Sequence, residues 1–161
     1  MTFGFRPMEE PDRGFVVHAW TTSYQYANAA GLISMDRWWS VFAPEVERII
    51  DRPTSRTIVA FKRDEPDRIA DLQGFITVDT DDEEWSPVVH YVYTKEAFRR
   101  AGRARALFDA AGVDPGRPFS YTSTNATVSR LYQARKLPYA KWQPLIARFA
   151  IDDPRRPRRN R

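Results

Sequence analysis

The sequence contains no cysteine, which excludes disulfide bonds and thiolate-bound metals. Its two histidines, His18 and His90, are far apart in the chain, so a histidine-rich zinc site is not expected. No apolar run approaches the roughly 20 residues that a membrane-spanning helix needs, and the N-terminus lacks the pattern of a signal peptide. We therefore expect a soluble, cytoplasmic protein with no metal and no membrane partner.

The composition indicates one folded domain with a charged tail. Of the 161 residues, 42% are apolar and 14% aromatic, which is typical of a globular protein rather than a disordered one. The formal net charge is +4, and five arginines lie in the last eight residues, PRRPRRNR. Subtracting those five leaves the rest of the chain at −1. The prediction is a domain at residues 1–153 and a disordered Pro/Arg-rich tail at 154–161.

The tail has two interpretations that stay open. It is either a solubilising segment or a contact for nucleic acid or another acidic partner, through attraction of its arginines to phosphate-type groups. Direct binding of nucleic acid by the folded domain is disfavoured, because that domain is slightly negative.

Hydrophobic periodicity predicts an α/β fold around a mixed sheet. Ser34 is a plausible N-cap, Gly112 a plausible helix end, and Pro44 predicts a kink or break in the second helix. The predicted helices cover residues 12–28, 34–51, 100–111 and 125–135. The predicted strands cover residues 3–8, 57–62, 72–79, 85–94, 118–124 and 144–152. The resulting order is βααβββαβαβ.

The stretch EAFRRAGRARAL, Glu96–Leu107, lies between a predicted strand and a predicted helix. The first N–H groups of a helix lack internal partners, and the helix dipole adds partial positive charge there. Gly102 lets an anion approach the backbone, and four arginines raise the local potential. The stretch therefore suits a pyrophosphate, although a solvated basic surface has the same composition.

Three motifs in their order resemble the GNAT superfamily of acyl-CoA N-acyltransferases. Arg99-x-x-Gly102-x-Ala104 is similar to the Arg/Gln-x-x-Gly-x-Gly/Ala signature of that family. Downstream, NATVSRLY (residues 125–132) resembles its second signature, and FRPM (residues 5–8) its first strand. A Lys-Leu pair at 136–137 replaces the usual Gly-Phe. The resemblance implies a single-domain GNAT-like fold, with a mixed, mostly antiparallel central sheet and helices on both faces.

The resemblance also implies a site for acetyl-CoA, the acyl donor. The pantetheine arm would pair like an added strand with the end of the fourth strand, at Val92, Tyr93 and Thr94. Asn125 would face the pantetheine, serve as an N-cap, or both. The pyrophosphate would lie on the signature turn, which comprises Arg99, Arg100, Ala101, Gly102, Arg103, Ala104 and Arg105.

Candidate catalytic residues follow from the same resemblance. Tyr132 matches the tyrosine that protonates the departing CoA thiolate in many members; the alternative is a core tyrosine. Side chains two apart on a strand share a face, so 84, 86, 88, 90 and 92 project together if no bulge intervenes. On that face His90 is the first candidate for the general base and Glu84 the second, with a packed strand histidine as the alternative for His90.

The amine acceptor is less well defined by the sequence. Aromatic residues of the first two helices form either an acceptor wall or part of the core: Trp20, Tyr24, Tyr26, Trp38 and Trp39. The predicted function is an acetyl-CoA-dependent N-acetyltransferase acting on a primary amine of a small molecule or protein, by direct attack in a ternary complex. The alternative is a catalytically inactive GNAT-fold binding or structural module. A homodimer also stays open.

Overall fold

The computed structural model describes residues 3–28, 33–62, 71–80, 87–123 and 140–142. The predicted helix at 125–135, the predicted strand at 144–152 and the tail at 154–161 lie outside these ranges. The boundary predicted after residue 153 lies outside them as well.

Six strands within these ranges form one sheet in which chain order and spatial order are the same. The pairs β1–β2, β2–β3 and β3–β4 are antiparallel, whereas β4–β5 and β5–β6 are parallel. The predicted mixed, mostly antiparallel sheet is therefore confirmed. The strands are β1 Phe3–Pro7, β2 Ser55–Lys62, β3 Leu72–Asp79, β4 Val88–Thr94, β5 Phe119–Tyr121 and β6 Ala140–Trp142.

In the described part of the chain, three α-helices cover the two faces of this sheet. They are α1 Arg13–Asn28, α2 Met35–Ile50 and α3 Arg103–Ala110. Helices α1 and α2 enclose one apolar cluster, which includes Trp20, Val46 and Phe75. On the opposite face, Leu107 of α3 packs against residues such as Ile76. Helices on both faces are therefore also confirmed.

The predicted helix ends have the expected chemistry. The Ser34 side chain accepts a hydrogen bond from the backbone N–H of Arg37, which caps α2. After α3, Gly112 adopts a left-handed φ of 71°. The Gly112 N–H donates to Asp109 and the Val113 N–H to Phe108, which is a Schellman motif.

Pro44 does not divide the second helix, contrary to one form of the prediction. Helix α2 runs as one element from Met35 to Ile50 with Pro44 inside it. Phe42 on one side of the proline and Val46 on the other are both buried in the same cluster. Packing of this continuous apolar side outweighs the loss of one backbone hydrogen bond.

A partly buried ion pair lies at the end of β1. Asp12 is 2% exposed, and its carboxylate accepts hydrogen bonds from the Arg6 guanidinium, one of them at 3.1 Å. The backbone N–H of Glu9 donates to the same carboxylate at 2.9 Å. Burial raises the pKa of Asp12, but these hydrogen bonds and the Arg6 charge outweigh it, so the pKa lies below 3.8.

None of the helices in the described ranges is both long and apolar enough to cross a membrane.

Candidate functional site

Strands β4 and β5 run together over a short distance. Val88 lies opposite Ser120 and Val89 opposite Tyr121, where the described ladder ends. The Thr122 N–H donates to the Val89 carbonyl at 3.1 Å. Strand β4 continues to Thr94, well past this last pairing. We call the place where the β4–β5 ladder ends, at Val89 and Tyr121, the fork.

A β-bulge in β4 lies at the fork. Thr77 of β3 is opposite Tyr91, but Val78 is opposite Val89, so His90 is the extra residue. Val89 and Val92, three positions apart, consequently both pack on the α3 face. The common face predicted for residues 84 to 92 required an unbroken strand, and it does not hold across this bulge.

Beyond the bulge, the outer edge of β4 is formed by Val92 and Thr94. The Lys95 N–H donates to the Gln73 carbonyl of β3 at 2.8 Å. Hydrogen-bonded pairs alternate along an antiparallel ladder, so Tyr93 bonds to β3 while Val92 and Thr94 direct their backbone groups away from it. Consistent with this direction, the Arg99 side chain donates to the Thr94 carbonyl at 3.4 Å.

The signature turn follows directly after this edge. Arg100 has a φ of 64° and Gly102 a φ of 74°, and α3 begins at Arg103. Left-handed residues before a helix are typical of backbone concavities that bind anions. A side chain at Gly102 would meet nothing within 4 Å, so the space beside it is open. Most of the turn is exposed, namely Arg99, Arg100, Ala101, Gly102, Ala104 and Arg105.

Gly102 occupies the N-cap position of α3 without a side chain to offer. The first N–H of α3 bonded inside the helix is that of Ala106, which donates to Gly102 at 3.0 Å. Because glycine has no side chain, Gly102 does not cap the preceding N–H groups, those of residues 103 to 105. These amides are the donors that the sequence predicts for a pyrophosphate.

His90 is enclosed at the fork. It is 0% exposed, and its Nδ1 lies 3.2 Å from the Thr122 hydroxyl. Its Nε2 lies 3.7 Å from a carboxylate oxygen of Asp79, which is also fully buried. The Arg52 guanidinium is 3.2 Å from that same oxygen. His90 thus contacts the fork through Thr122 rather than facing solvent.

The aromatic residues of α1 and α2 divide between core and partly exposed positions. Trp20 is fully buried and stacks on Tyr91 at 5.1 Å, so it is a core residue. Tyr24 is half-buried, stacks on Phe42 at 5.0 Å, and has its pKa raised by burial. The half-buried Trp38 donates its indole N–H to the Thr21 carbonyl at 2.8 Å.

The other candidate wall residues are Trp39 and Tyr26. Trp39 is half-buried and lies 5.4 Å from the His18 ring. The side chain of Tyr26 lies outside the described part of α1.

Tyr91 joins β4 to α1, and no sequence motif pointed to it. Its hydroxyl is 2.9 Å from that of Ser23, and burial is the main cause of its raised pKa. The aromatic run of β4 was the available signal, but it does not specify which ring faces α1.

Three predicted site residues, Glu84, Asn125 and Tyr132, lie outside the described ranges. The structure brings the other positions into one continuous path. The outer edge of β4 at Val92 and Thr94 leads into the turn around Gly102, with His90 behind the fork. In the described part of the chain, no group of three histidine, aspartate or glutamate side chains could hold a metal ion.

The fold was compared with those of known proteins. No protein-family model matches the sequence, and no curated protein matches it either. Among solved structures, a possible acetyltransferase from Clostridium difficile 630 matches with a TM-score of 0.56 at 10% identity. The match covers 88% of this chain and 92% of that one. A GNAT-family acetyltransferase from Staphylococcus aureus Mu50 matches with a TM-score of 0.55 at 10% identity, over 84% and 82%.

The chain has the GNAT fold. At 10% identity this likeness shows the fold alone, that is, the sheet with helices on its two faces. A candidate GNAT-family acetyltransferase from Desulfovibrio desulfuricans matches with a TM-score of 0.46 at 15% identity. The match covers 68% of this chain, which spans 63% of the length of that protein.

Proposed function

We propose that this protein is an acetyl-CoA-dependent N-acetyltransferase that acts on a primary amine of a small molecule or protein. The observation that carries the proposal is the continuity of the fork, the outer edge of β4 and the Gly102 turn. An extended thioester cofactor needs this combination: an edge for its amides, followed by an anion-binding turn.

Acetyl-CoA would lie along this path. Its pantetheine amides would pair with the backbone of Val92 and Thr94, and Tyr93 would hold the edge in place from the β3 side. Its pyrophosphate would accept hydrogen bonds from the turn amides at 100 to 105. Asn125 would also contact the pantetheine. Backbone donors bind without requiring particular side chains, so this site tolerates a divergent signature.

The proposed reaction is direct transfer in a ternary complex. The amine lone pair attacks the thioester carbonyl carbon, and a tetrahedral intermediate forms. The C–S bond then breaks, and the hydroxyl of Tyr132 gives its proton to the departing CoA sulfur. The amine gives up a proton to a base, for which His90, reached through the Thr122 hydroxyl, is our first candidate and Glu84 our second.

An acetylation assay over a panel of small amines and peptides, read by mass spectrometry, tests the proposal. We expect a product in which one acetyl group has replaced one amine hydrogen, recognised by the corresponding gain in mass. Tyr132→Phe should lower turnover by about 10²–10⁴-fold while leaving acetyl-CoA affinity nearly intact, because only the proton donor is lost. Unchanged turnover in Tyr132→Phe would remove this residue from the mechanism.

A second candidate is a GNAT-fold module that binds without catalysing transfer. The complete burial of His90 favours it, because the imidazole contacts the Thr122 hydroxyl instead of facing solvent. The two candidates make different predictions for the same assay. A non-catalytic module yields no acetylated product with any amine, whether or not acetyl-CoA binds.

A further inference from the structure

One arginine of the signature turn faces the protein. Arg103, the first residue of α3, is half-buried, and its guanidinium carbon lies 3.5 Å from the centre of the Phe3 ring in β1. Its Nε donates to the side-chain carbonyl of Gln73 in β3 at 3.0 Å. The arginines at 99, 100 and 105 are exposed by contrast.

The partners of Arg103 are themselves held in the sheet. Gln73 is 2% exposed and is the extra residue of a β3 bulge, because Ala60 pairs with Gly74 but Phe61 pairs with Leu72. Bulges redirect side chains, and this one presents the Gln73 amide to the turn. Phe3 is packed edge-on against Phe5, with ring centres 5.3 Å apart.

The contacts of Arg103 turn part of its guanidinium toward the protein and occupy two of its three nitrogens. One face of the guanidinium lies on Phe3, Nε is bonded to Gln73, and one terminal nitrogen lies 3.5 Å from the Ala101 carbonyl. A guanidinium on an aromatic face is attracted by the ring quadrupole. The side chain thus connects the first residue of α3 to two strands of the sheet.

We propose that Arg103 is a positioning residue that fastens the Gly102 turn to Phe3 and Gln73. The turn amides at 100 to 105 are thereby held at a fixed place relative to the outer edge of β4. This inference rests on the proposed function in one respect, namely that the ligand of those amides is the pyrophosphate of acetyl-CoA. The anchor itself is independent of any ligand.

The first experiment tests the anchor without ligand. Amide hydrogen exchange is followed by NMR at Ala106, whose N–H closes the first turn of α3 on Gly102. Arg103→Met and Phe3→Leu should each speed this exchange about tenfold, because α3 frays when the anchor is lost. Phe61→Leu is the matched control, because it removes a ring of β2 that lies under the Arg6 guanidinium of β1. It should change the exchange rate at Ala106 by less than about twofold. Unchanged exchange in both anchor variants overturns the proposal.

The second experiment uses two donors, acetyl-CoA and S-acetyl-pantetheine, which lacks the pyrophosphate. Phe3→Leu alters no charge, yet it should weaken acetyl-CoA binding about tenfold, raise its KM accordingly, and leave kcat at saturation unchanged. Affinity for S-acetyl-pantetheine should stay the same. The double variant Phe3→Leu/Arg103→Met should bind acetyl-CoA as tightly as Arg103→Met alone, because both changes remove the same contact between Phe3 and Arg103.

Charge controls separate positioning from simple attraction. Arg105→Met removes an exposed charge from the same turn, so its loss of acetyl-CoA affinity should disappear at high salt. The loss of acetyl-CoA affinity in Arg103→Met should persist at high salt. Arg117→Met removes an 83% exposed charge outside the turn and should change neither affinity. The proposal is contradicted if Phe3→Leu binds acetyl-CoA with wild-type affinity. It is also contradicted if Phe3→Leu loses the same factor in affinity for both donors. If the wild type binds neither donor, the proposed function fails, and the exchange at Ala106 still decides the anchor.

Discussion

Among single residues, Asp12 has the most clearly defined electrostatic role. Its pKa is lower in the folded protein than 3.8, its ordinary value. The Arg6–Asp12 pair therefore contributes its full stabilisation above about pH 4, and that contribution is lost as the pH falls through the folded-state pKa. Asp12→Asn should lower the free energy of unfolding at pH 7 by about 3 kcal/mol, because it leaves the Arg6 charge without its carboxylate.

Urea unfolding of the wild type and the variant at pH 7 and pH 3 checks this. The difference in the free energy of unfolding between wild type and Asp12→Asn should shrink at pH 3, where the wild-type carboxylate begins to protonate. Glu9→Gln is the matched control, since the Glu9 side chain is 62% exposed and lies 3.9 Å from Arg6. Its effect should stay within about 0.5 kcal/mol. An equal loss in the two variants would contradict a specific role for Asp12.

His90 presents a different question, because a base must exchange protons with the substrate. If Thr122 connects His90 to the amine, then His90→Gln and Thr122→Val should each remove the acid limb of the kcat/KM profile. Turnover should fall by about 10²–10⁴-fold in both. The measurement is a pH–rate profile with acetyl-CoA and the best amine of the panel. An intact acid limb in His90→Gln dismisses the histidine and leaves Glu84 as the remaining candidate.

At the scale of elements, the contact between β3 and β4 depends on Gly74. A Cβ there would clash with the Tyr93 carbonyl oxygen, and a backbone atom cannot move aside cheaply. Gly74→Ala should therefore destabilise the protein by about 1–3 kcal/mol and shift the outer edge of β4. Gly14→Ala is the control, because Gly14 is in α1 with nothing within 4 Å of an added Cβ.

Thermal unfolding of these two glycine variants gives the comparison. Gly14→Ala should stabilise the protein by about 0.5–1 kcal/mol, since alanine loses less backbone entropy than glycine in a helix. Destabilisation by Gly14→Ala and none by Gly74→Ala would contradict the packing described for the β3–β4 pair.

The elements that the sequence predicted well are those with strong local signals. Strand β3 agrees at both ends, and Ser34 and Gly112 mark the ends of α2 and α3 through capping chemistry that is local to each. Strand β6 was missed, because three residues are too few to establish an alternating pattern. The break predicted at Pro44 does not occur, because the effect of this proline on α2 is decided by tertiary packing.

The candidate site was predictable to a similar, limited extent. The turn around Gly102 was recognisable, since its glycine, arginines and following helix are adjacent in sequence. The bulge at His90 was not, because the register of β4 is set by its partners in β3, which are distant in the sequence. The anchoring of Arg103 to Phe3 was equally inaccessible, since 100 residues separate them in the chain.

For the whole molecule, the sheet explains why the parts of the site are neighbours. The antiparallel half of the sheet ends at β4, and parallel pairing with β5 begins there. Within the described residues, the pairing of β4 with β5 ends at Val89 and Tyr121, whereas its pairing with β3 continues to Thr94. The chain then passes from the outer edge of β4 directly into the Gly102 turn, before α3 covers the second face.

This arrangement makes binding of acetyl-CoA the central claim. Isothermal titration of the full-length wild-type protein with acetyl-CoA, alongside S-acetyl-pantetheine, tests it most directly. We predict one saturable site per chain for acetyl-CoA and weaker binding of S-acetyl-pantetheine, which has no pyrophosphate for the turn amides. Absence of saturable acetyl-CoA binding, or equal affinity for the two donors, would contradict the account.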